Sequence, residues 1–177
     1  MLKRFIAVSI ILTLISFSSE AQRYGRYSKF RVQAGLVAGT NSYYKKDPVD
    51  PKIGPGINAS VEYAFHKFWS TSISYTYFYT GSDDVSYMGA INADFRYYIP
   101  TEHVEDKPYI LLGATNVTRN QFDFKRAKVN VSETGLNFGV GYNHRFNKDW
   151  GYNFQAKYQT AGGSGQFVFN LGFIRSL

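Results

Sequence analysis

The amino-acid sequence predicts an all-β fold: an eight-stranded antiparallel up-and-down transmembrane β-barrel. The first observation behind this prediction is strict alternation of apolar with small or polar residues, as in GLNFGVGYNHRF (135–146), which is typical of a strand with two different faces. The second is that no stretch beyond residue 28 shows helical periodicity. The third is that the connections between the alternating stretches differ in length between the two ends of the predicted barrel.

The alternating stretches place the strands at about 29–41, 56–66, 69–80, 86–99, 108–117, 133–146, 150–160 and 165–176. Each has about the 9–11 residues that a tilted strand needs to cross a bilayer. All five prolines fall in connections or at strand boundaries, where a missing backbone donor does not interrupt a hydrogen-bonded ladder.

The connections fall into two sets. HKF, PTEHVEDK and NKD join strands two to three, four to five and six to seven at one end. The other end has the long connections SYYKKDPVDPKIGP and TRNQFDFKRAKVNVSE together with the short GSDDV and AGGSG. Mostly short connections at one end and two long ones at the other indicate a meander whose two ends face different compartments.

The two faces of each strand indicate which side meets lipid. In the third strand Trp69, Ile73 and Tyr75 alternate with Ser70 and Ser72, and the seventh and eighth strands repeat this contrast. A soluble barrel of the lipocalin type would turn the apolar row inward and cover its outside with Lys and Glu. Here the second row is mostly Ser, Thr, Gly and Asn, which fits a crowded polar lumen, so the aromatic row is expected to face lipid.

The N-terminus predicts export. A basic head, Met1 to Arg4, precedes an apolar run from Phe5 to Phe17, and Ser19 and Ala21 stand at the −3 and −1 positions of a cleavage site. Residues 1–21 are therefore expected to be a signal peptide, 22–28 a short periplasmic segment and 29–177 the barrel domain.

Composition excludes several classes of function. The chain has no cysteine, which excludes a disulfide scaffold, thiolate metal ligands and a cysteine nucleophile. The formal charge is +7, but Lys and Arg are scattered over loops and strand ends without a helix or cluster to present them. We therefore expect no nucleic-acid partner.

Two tryptophans share a local pattern. FHKFW (65–69) and FNKDW (146–150) both read F-x-K-x-W, and in both a strand begins at the tryptophan. Amphipathic indoles favour the membrane–water interface, so Trp69 and Trp150 are expected to form the periplasmic aromatic girdle. The outer girdle is predicted at Tyr43, Tyr44, Tyr79 and Tyr87.

On these features the chain resembles the small porin-like outer-membrane β-barrels common in Bacteroidota, and more distantly the OmpX/Ail barrels and the transmembrane barrel of OmpA. The resemblance rests on the signal peptide, the eight strands and stretches such as PYILLGA and GQFVFNLGFIRSL, and it covers residues 29–177. It implies an outer-membrane location, contact with outer-membrane lipids and lipopolysaccharide, and insertion by the barrel assembly machinery. Such chains usually end on Phe, whereas this one ends on Leu177.

Two groups of charged residues are candidate functional residues. Strand parity places the first group in the lumen, where we expect paired charges to plug the pore; all but Lys157, which sits higher, lie in the periplasmic half: Arg31, Glu62, Asp94, Arg96, Arg145 and Lys157. Neutralising Glu62 and Asp94 would then raise conductance. The second group lies in the two long connections and could meet lipopolysaccharide phosphates outside the cell: Lys45, Lys46, Arg119, Lys125, Arg126 and Lys128.

No residue set indicates catalysis. Some eight-stranded barrels modify lipid A with a serine and a histidine, but His66 and His103 fall in or beside short connections, and His144 has no serine two residues away. We expect neither cofactor nor metal. Three hypotheses remain: a structural or surface-interaction barrel, including an accessory subunit of an envelope complex; a small-solute channel; and, third, a lipid A-modifying enzyme.

Overall fold

The computed structural model describes residues 29–40, 54–79, 85–103, 105–122, 128–161 and 164–177. Its strands form one closed antiparallel barrel in which each strand pairs with its neighbours in sequence and β1 pairs with β8. The strands are β1 Phe30–Gly39, β2 Gly54–Ala64, β3 Trp69–Phe78, β4 Val85–Tyr98, β5 Asp106–Phe122, β6 Lys128–Arg145, β7 Trp150–Ala161 and β8 Ser164–Ser176. The predicted fold class is confirmed.

Closure of the barrel gives the backbone N–H and C=O groups of the first and last strands hydrogen-bond partners. The β1–β8 ladder runs from the Arg31↔Ser176 pair to the Gly39↔Val168 pair, and the β1–β2 ladder covers the same part of β1. Both edges of β1 are therefore hydrogen-bonded. A sheet with an open edge would leave unpaired N–H and C=O groups in hydrocarbon, so closure is what allows this chain to cross a membrane by strands.

Alternation sorts the side chains as the sequence predicts. On β3, Ser70 and Ser72 point inward and are buried, whereas Ile73 points outward and is 64% exposed. The same parity holds on β6, where Asn137 and Asn143 are buried between outward apolar residues. Most large apolar side chains thus form a continuous outer belt, which is stable against lipid and not against water.

Two strands are longer than predicted. β5 continues to Phe122 and β6 begins at Lys128, so most of TRNQFDFKRAKVNVSE, predicted as a long loop, is paired strand. The reason is that the outer row becomes polar in this part, which removes the apolar alternation by which strands are recognised, while the backbone ladder continues.

Several predicted segments lie outside the described residues. These are the signal peptide (1–21), the segment 22–28, most of the first long connection with Tyr43 and Tyr44, and the side chain of Tyr87. Within the described ranges, no helix is both long and apolar enough to cross a membrane.

The two F-x-K-x-W turns lie at the same end of the barrel, which we call the short-turn end. Asn147 stabilises the second of them, because its Oδ1 accepts the backbone N–H of Asp149 at 3.0 Å and of Trp150 at 2.7 Å. Trp69 and Trp150 are the first residues of their strands and point outward. Their shared depth in the bilayer stays a prediction.

Candidate functional site: the barrel lumen

A buried ionic cluster fills the short-turn half of the lumen. Glu62 Oε1 accepts hydrogen bonds from Arg31 at 2.7 Å, Ser70 at 2.5 Å and Tyr98 at 2.6 Å, and Glu62 Oε2 accepts one from Arg96 at 3.0 Å. One carboxylate is thus bonded to two guanidinium groups and two hydroxyls. Such pairing compensates for the loss of water around charges in the interior.

Two tyrosines support this cluster. The Arg31 guanidinium lies 5.0 Å from the centre of the Tyr98 ring, and the Arg96 guanidinium lies 4.9 Å from that of Tyr109. Tyr109 also donates a hydrogen bond to Asn153 Oδ1 at 2.8 Å. The aromatic faces therefore stabilise both arginines while their N–H groups bond Glu62.

Glycine makes room for these large inward side chains. Gly141 pairs directly with Tyr109 across the β5–β6 ladder, and a Cβ at position 141 would overlap the tyrosine ring. Gly113 pairs with Asp94 of β4, and a Cβ at position 113 would overlap Asp94 Oδ1 and the Ala93 carbonyl oxygen. At these two positions glycine is therefore required by the close approach of the neighbouring strand and its side chain.

An amide network occupies the middle of the lumen. Asp94 accepts hydrogen bonds from Asn137 at 2.9 Å and from Lys157 at 3.5 Å. Asn92 Oδ1 accepts from Asn137 at 3.0 Å and from Gln159 at 2.7 Å. These side chains come from β4, β6 and β7, so the network cross-links strands that are not neighbours in the sheet.

A third layer is apolar and lies toward the other end, which carries the β5–β6 connection and which we call the long-connection end. Its buried inward residues, here called the apolar plug, are Val37, Phe78, Met88, Ala90, Val117, Ala161 and Val168. The sequence predicted a polar lumen, and this layer differs from that prediction. Eight strands leave an interior just wide enough for side chains to fill, so the plug closes the lumen independently of the charges.

The structure brings most of the predicted lumen charges together in two groups. Arg31, Glu62 and Arg96 form the first group, and Asp94 and Lys157 form the second. Arg145 lies half-buried at the short-turn end of the barrel. Sequence reasoning missed Tyr98 and Tyr109, although the inward parity of β4 and β5 selects both. It also missed the apolar plug, since single apolar residues on an inner row give no periodic signal.

One predicted loop contact is wrong in its location. Arg119 lies in β5 rather than in a loop, is buried, and forms an ion pair of 2.5 Å with Glu133 of β6. The polar outer row of β5 and β6 concealed this part of the hairpin from the sequence pattern. Lys128 is the first residue of β6, and its side chain lies outside the described part, as do Lys45, Lys46, Lys125 and Arg126.

A histidine–carboxylate pair lies on the outer face near the short-turn end. Asp106 Oδ1 is 2.7 Å from His144 Nδ1 and accepts the Tyr142 hydroxyl at 2.5 Å. No serine takes part in this cluster, and His66 and His103 are exposed near the short connections. Within the described ranges, no group of three or more His, Asp or Glu side chains could hold a metal ion.

Three solved structures share this architecture. Neisserial surface protein A matches with a TM-score of 0.69 at 16% identity, over 85% of this chain and 98% of that one. The N-terminal barrel domain of Pseudomonas aeruginosa OprF matches with a TM-score of 0.63 at 14% identity, over 84% of this chain and 98% of that one. Ail of Yersinia pestis matches with a TM-score of 0.62 at 15% identity, over 84% of this chain and 97% of that one. At these identities the likeness concerns the fold.

The sequence itself gives the family. No curated protein matches the chain. The family model described as outer membrane protein beta-barrel domain matches residues 9–173, which is most of the chain. With the closed eight-stranded barrel and its apolar outer belt, the location in the outer membrane, in contact with its lipids, follows. The chain belongs to the outer membrane protein beta-barrel domain family.

Proposed function

We propose that this protein is a non-enzymatic surface-interaction barrel whose β5–β6 hairpin binds a partner outside the cell. One observation carries the proposal: β5 and β6 have 17 and 18 residues, whereas the other strands have 10–14. Short turns face the periplasm in outer-membrane barrels, so the longer part of this hairpin points outward.

The outward-facing residues of the hairpin change from apolar to polar toward its tip. On β6 the outward residues Leu136 and Phe138 are apolar, but Thr134 and Ser132 above them are polar. Asn116 of β5 bonds both of these hydroxyl residues, at 3.2 Å and 3.0 Å. The membrane boundary is therefore placed between Leu136 and Thr134, and the seven residues from Asn116 to Phe122 extend about 20 Å along the strand beyond it.

The projecting part of β6 offers a backbone edge. Within the described residues, the β6–β7 ladder ends at the Asn137↔Gln159 pair, whereas the β5–β6 ladder continues to Phe122↔Lys128. Gly135 and Leu136 still contact Thr160 of β7, so residues 128–134 are the part that pairs on one side only. Such an edge is a template to which an extended segment of another protein can add as a further strand. An envelope protein contributing that segment would make this chain an accessory subunit.

The closed lumen supports interaction rather than conduction. In the part of the barrel that the structure describes, the ionic cluster, the amide network and the apolar plug fill successive layers of a lumen only wide enough for side chains. Ail, which has the same architecture, has been solved in complex with the heparin analogue sucrose octasulfate. That complex supports a surface-binding role for such barrels, and lipopolysaccharide phosphates on the long-connection cations would be a comparable contact.

Site-specific photo-crosslinking in intact cells tests the proposal. A photo-reactive residue at Ser132, on the projecting part of β6, should yield a discrete crosslinked partner. The matched control is Phe138, which lies on the same strand and the same face but within the apolar belt, and it should crosslink lipid alone. Equal products at both positions, or none at Ser132, would refute the role of the hairpin.

A further inference from the structure

A basic cavity of about 250 Å³ opens at the short-turn end of the barrel. We call it the short-turn mouth. Six basic side chains line it: Lys29, Arg31, His66, Lys67, Lys107 and Arg145. The remaining lining comes from Ala64, Phe65, Tyr98 and Ser176, so no acidic side chain of the described residues takes part.

Within the described residues, the mouth has more basic side chains than nearby carboxylates. Glu62 lies beneath the mouth, where Arg31, Arg96, Ser70 and Tyr98 already bond it. Counted together with Arg96, the basic side chains at and below the mouth outnumber this one carboxylate.

The acidic residues of the adjoining short connection do not enter the mouth either. Asp106 is bonded to Tyr142 and His144 on the outer face, and the side chain of Glu105 is exposed and does not line the cavity. The positive potential at this end therefore persists. Clustered cations in a concave site attract anions and raise their local concentration.

A buried N–H group without a partner lies beneath the mouth. The Nε–H group of Arg31 is buried and has no hydrogen-bond partner, although its terminal nitrogen bonds Glu62. A buried N–H without a partner costs free energy unless a ligand or water accepts from it. A guanidinium with lysines around it, in a partly enclosed cavity, is suited to a compact anion with several oxygens.

From this combination we propose that the short-turn mouth binds a phosphate-bearing anion on the periplasmic side. Arg31 supplies a guanidinium group at the base of the cavity, and Lys29 and Lys67 supply exposed charges at its rim. The site lies at the end of the barrel opposite to the projecting hairpin, so it is independent of the proposed surface interaction. The phosphate belongs either to a soluble periplasmic anion or to a phospholipid headgroup of the inner leaflet.

The two F-x-K-x-W turns offer a matched pair of variants. Lys67 and Lys148 occupy the same position in the two turns, at the same end of the barrel, but Lys67 lines the mouth and Lys148 does not. Inorganic pyrophosphate is titrated by calorimetry into the purified protein in a maltoside detergent at low ionic strength. Lys67→Gln should weaken binding about tenfold, the loss expected for one charge-assisted contact, and Lys148→Gln should leave it unchanged.

A stronger variant, Lys107→Gln with Arg145→Gln, should abolish pyrophosphate binding. Should this double variant fail to fold, the comparison of Lys67→Gln with Lys148→Gln still tests whether the mouth binds pyrophosphate.

Native mass spectrometry of protein purified with phosphatidylglycerol separates the two sources of phosphate. If the wild type and Lys148→Gln retain the lipid but Lys67→Gln loses it, the ligand is a phospholipid headgroup. If pyrophosphate binds but no lipid is retained, the ligand is a soluble anion. Absence of saturable pyrophosphate binding, or equal loss in both single variants, would overturn the proposal.

Discussion

The Tyr98 hydroxyl on β4 donates a hydrogen bond of 2.6 Å to Glu62 Oε1 on β2, and thereby links two strands that β3 separates in the sheet. The same carboxylate bonds Arg31 and Arg96, which are buried with it. Because ionised groups are stable in a narrow interior only when paired and hydrogen-bonded, Glu62 is the central acceptor of the short-turn half of the lumen.

Replacement of Glu62 by Gln should lower the free energy of unfolding by about 3–5 kcal/mol, since two buried arginines would then face a neutral amide. Urea titration of the folded protein in detergent measures this. Glu133→Gln is the control, because Glu133 also pairs with an arginine but its side chain is 22% exposed. Equal losses in the two variants would contradict the central position of Glu62.

The closed ladder predicts heat-modifiable migration in detergent gels. Without boiling the protein should run as a compact band, and after boiling as a slower one, because detergent does not open a barrel whose strands are all paired. Circular dichroism should show strand and little helix. A protein that stays in solution without detergent would be inconsistent with this architecture.

The lumen layers predict poor conductance in planar bilayers. From the sequence, neutralising Glu62 and Asp94 would open the pore, but the apolar plug lies outside both charge groups. We now expect Glu62→Gln with Asp94→Asn to conduct little more than the wild type. Adding Phe78→Ala and Met88→Ala should produce measurable channels. Large wild-type channels would refute the closed lumen.

Trp69 and Trp150 should lie at one depth in the bilayer, because each begins a strand after a matching short turn. Single-tryptophan proteins, made by Trp69→Phe and Trp150→Phe, allow each to be measured separately. Lipids brominated at shallow positions should quench both more strongly than lipids brominated near the bilayer centre. Strong central quenching of one tryptophan alone would disprove the shared girdle.

Gly141→Val should destabilise the barrel by about 1–3 kcal/mol, because the new side chain would overlap the Tyr109 ring. Tyr109→Ala in the same chain should recover part of this loss, and the double-mutant cycle measures the coupling between the two positions. Additive losses would show that the glycine is required for a reason other than the space occupied by Tyr109.

Strand parity predicted much of the site. In an amphipathic strand each residue alternates between lipid and lumen, so Glu62, Asp94 and Arg96 could be assigned to the interior from sequence alone. The upper parts of β5 and β6 could not be recognised in this way. There the outer row is polar, Arg119 was predicted as a loop residue, and backbone pairing between β5 and β6 decides the structure.

The sequence by itself thus determined the fold class, the face of most strands that meets lipid, and the candidate lumen residues, because all three follow from period-two alternation. Tertiary structure decided which residues meet inside. The register of eight strands brings Arg31 and Arg96 to Glu62 and Lys157 to Asp94, and it leaves Arg145 at the short-turn end. It also gathers Phe78, Met88 and Val117 into one plug. Contacts across a lumen join residues far apart in the chain, and only closure of the sheet fixes their relative heights.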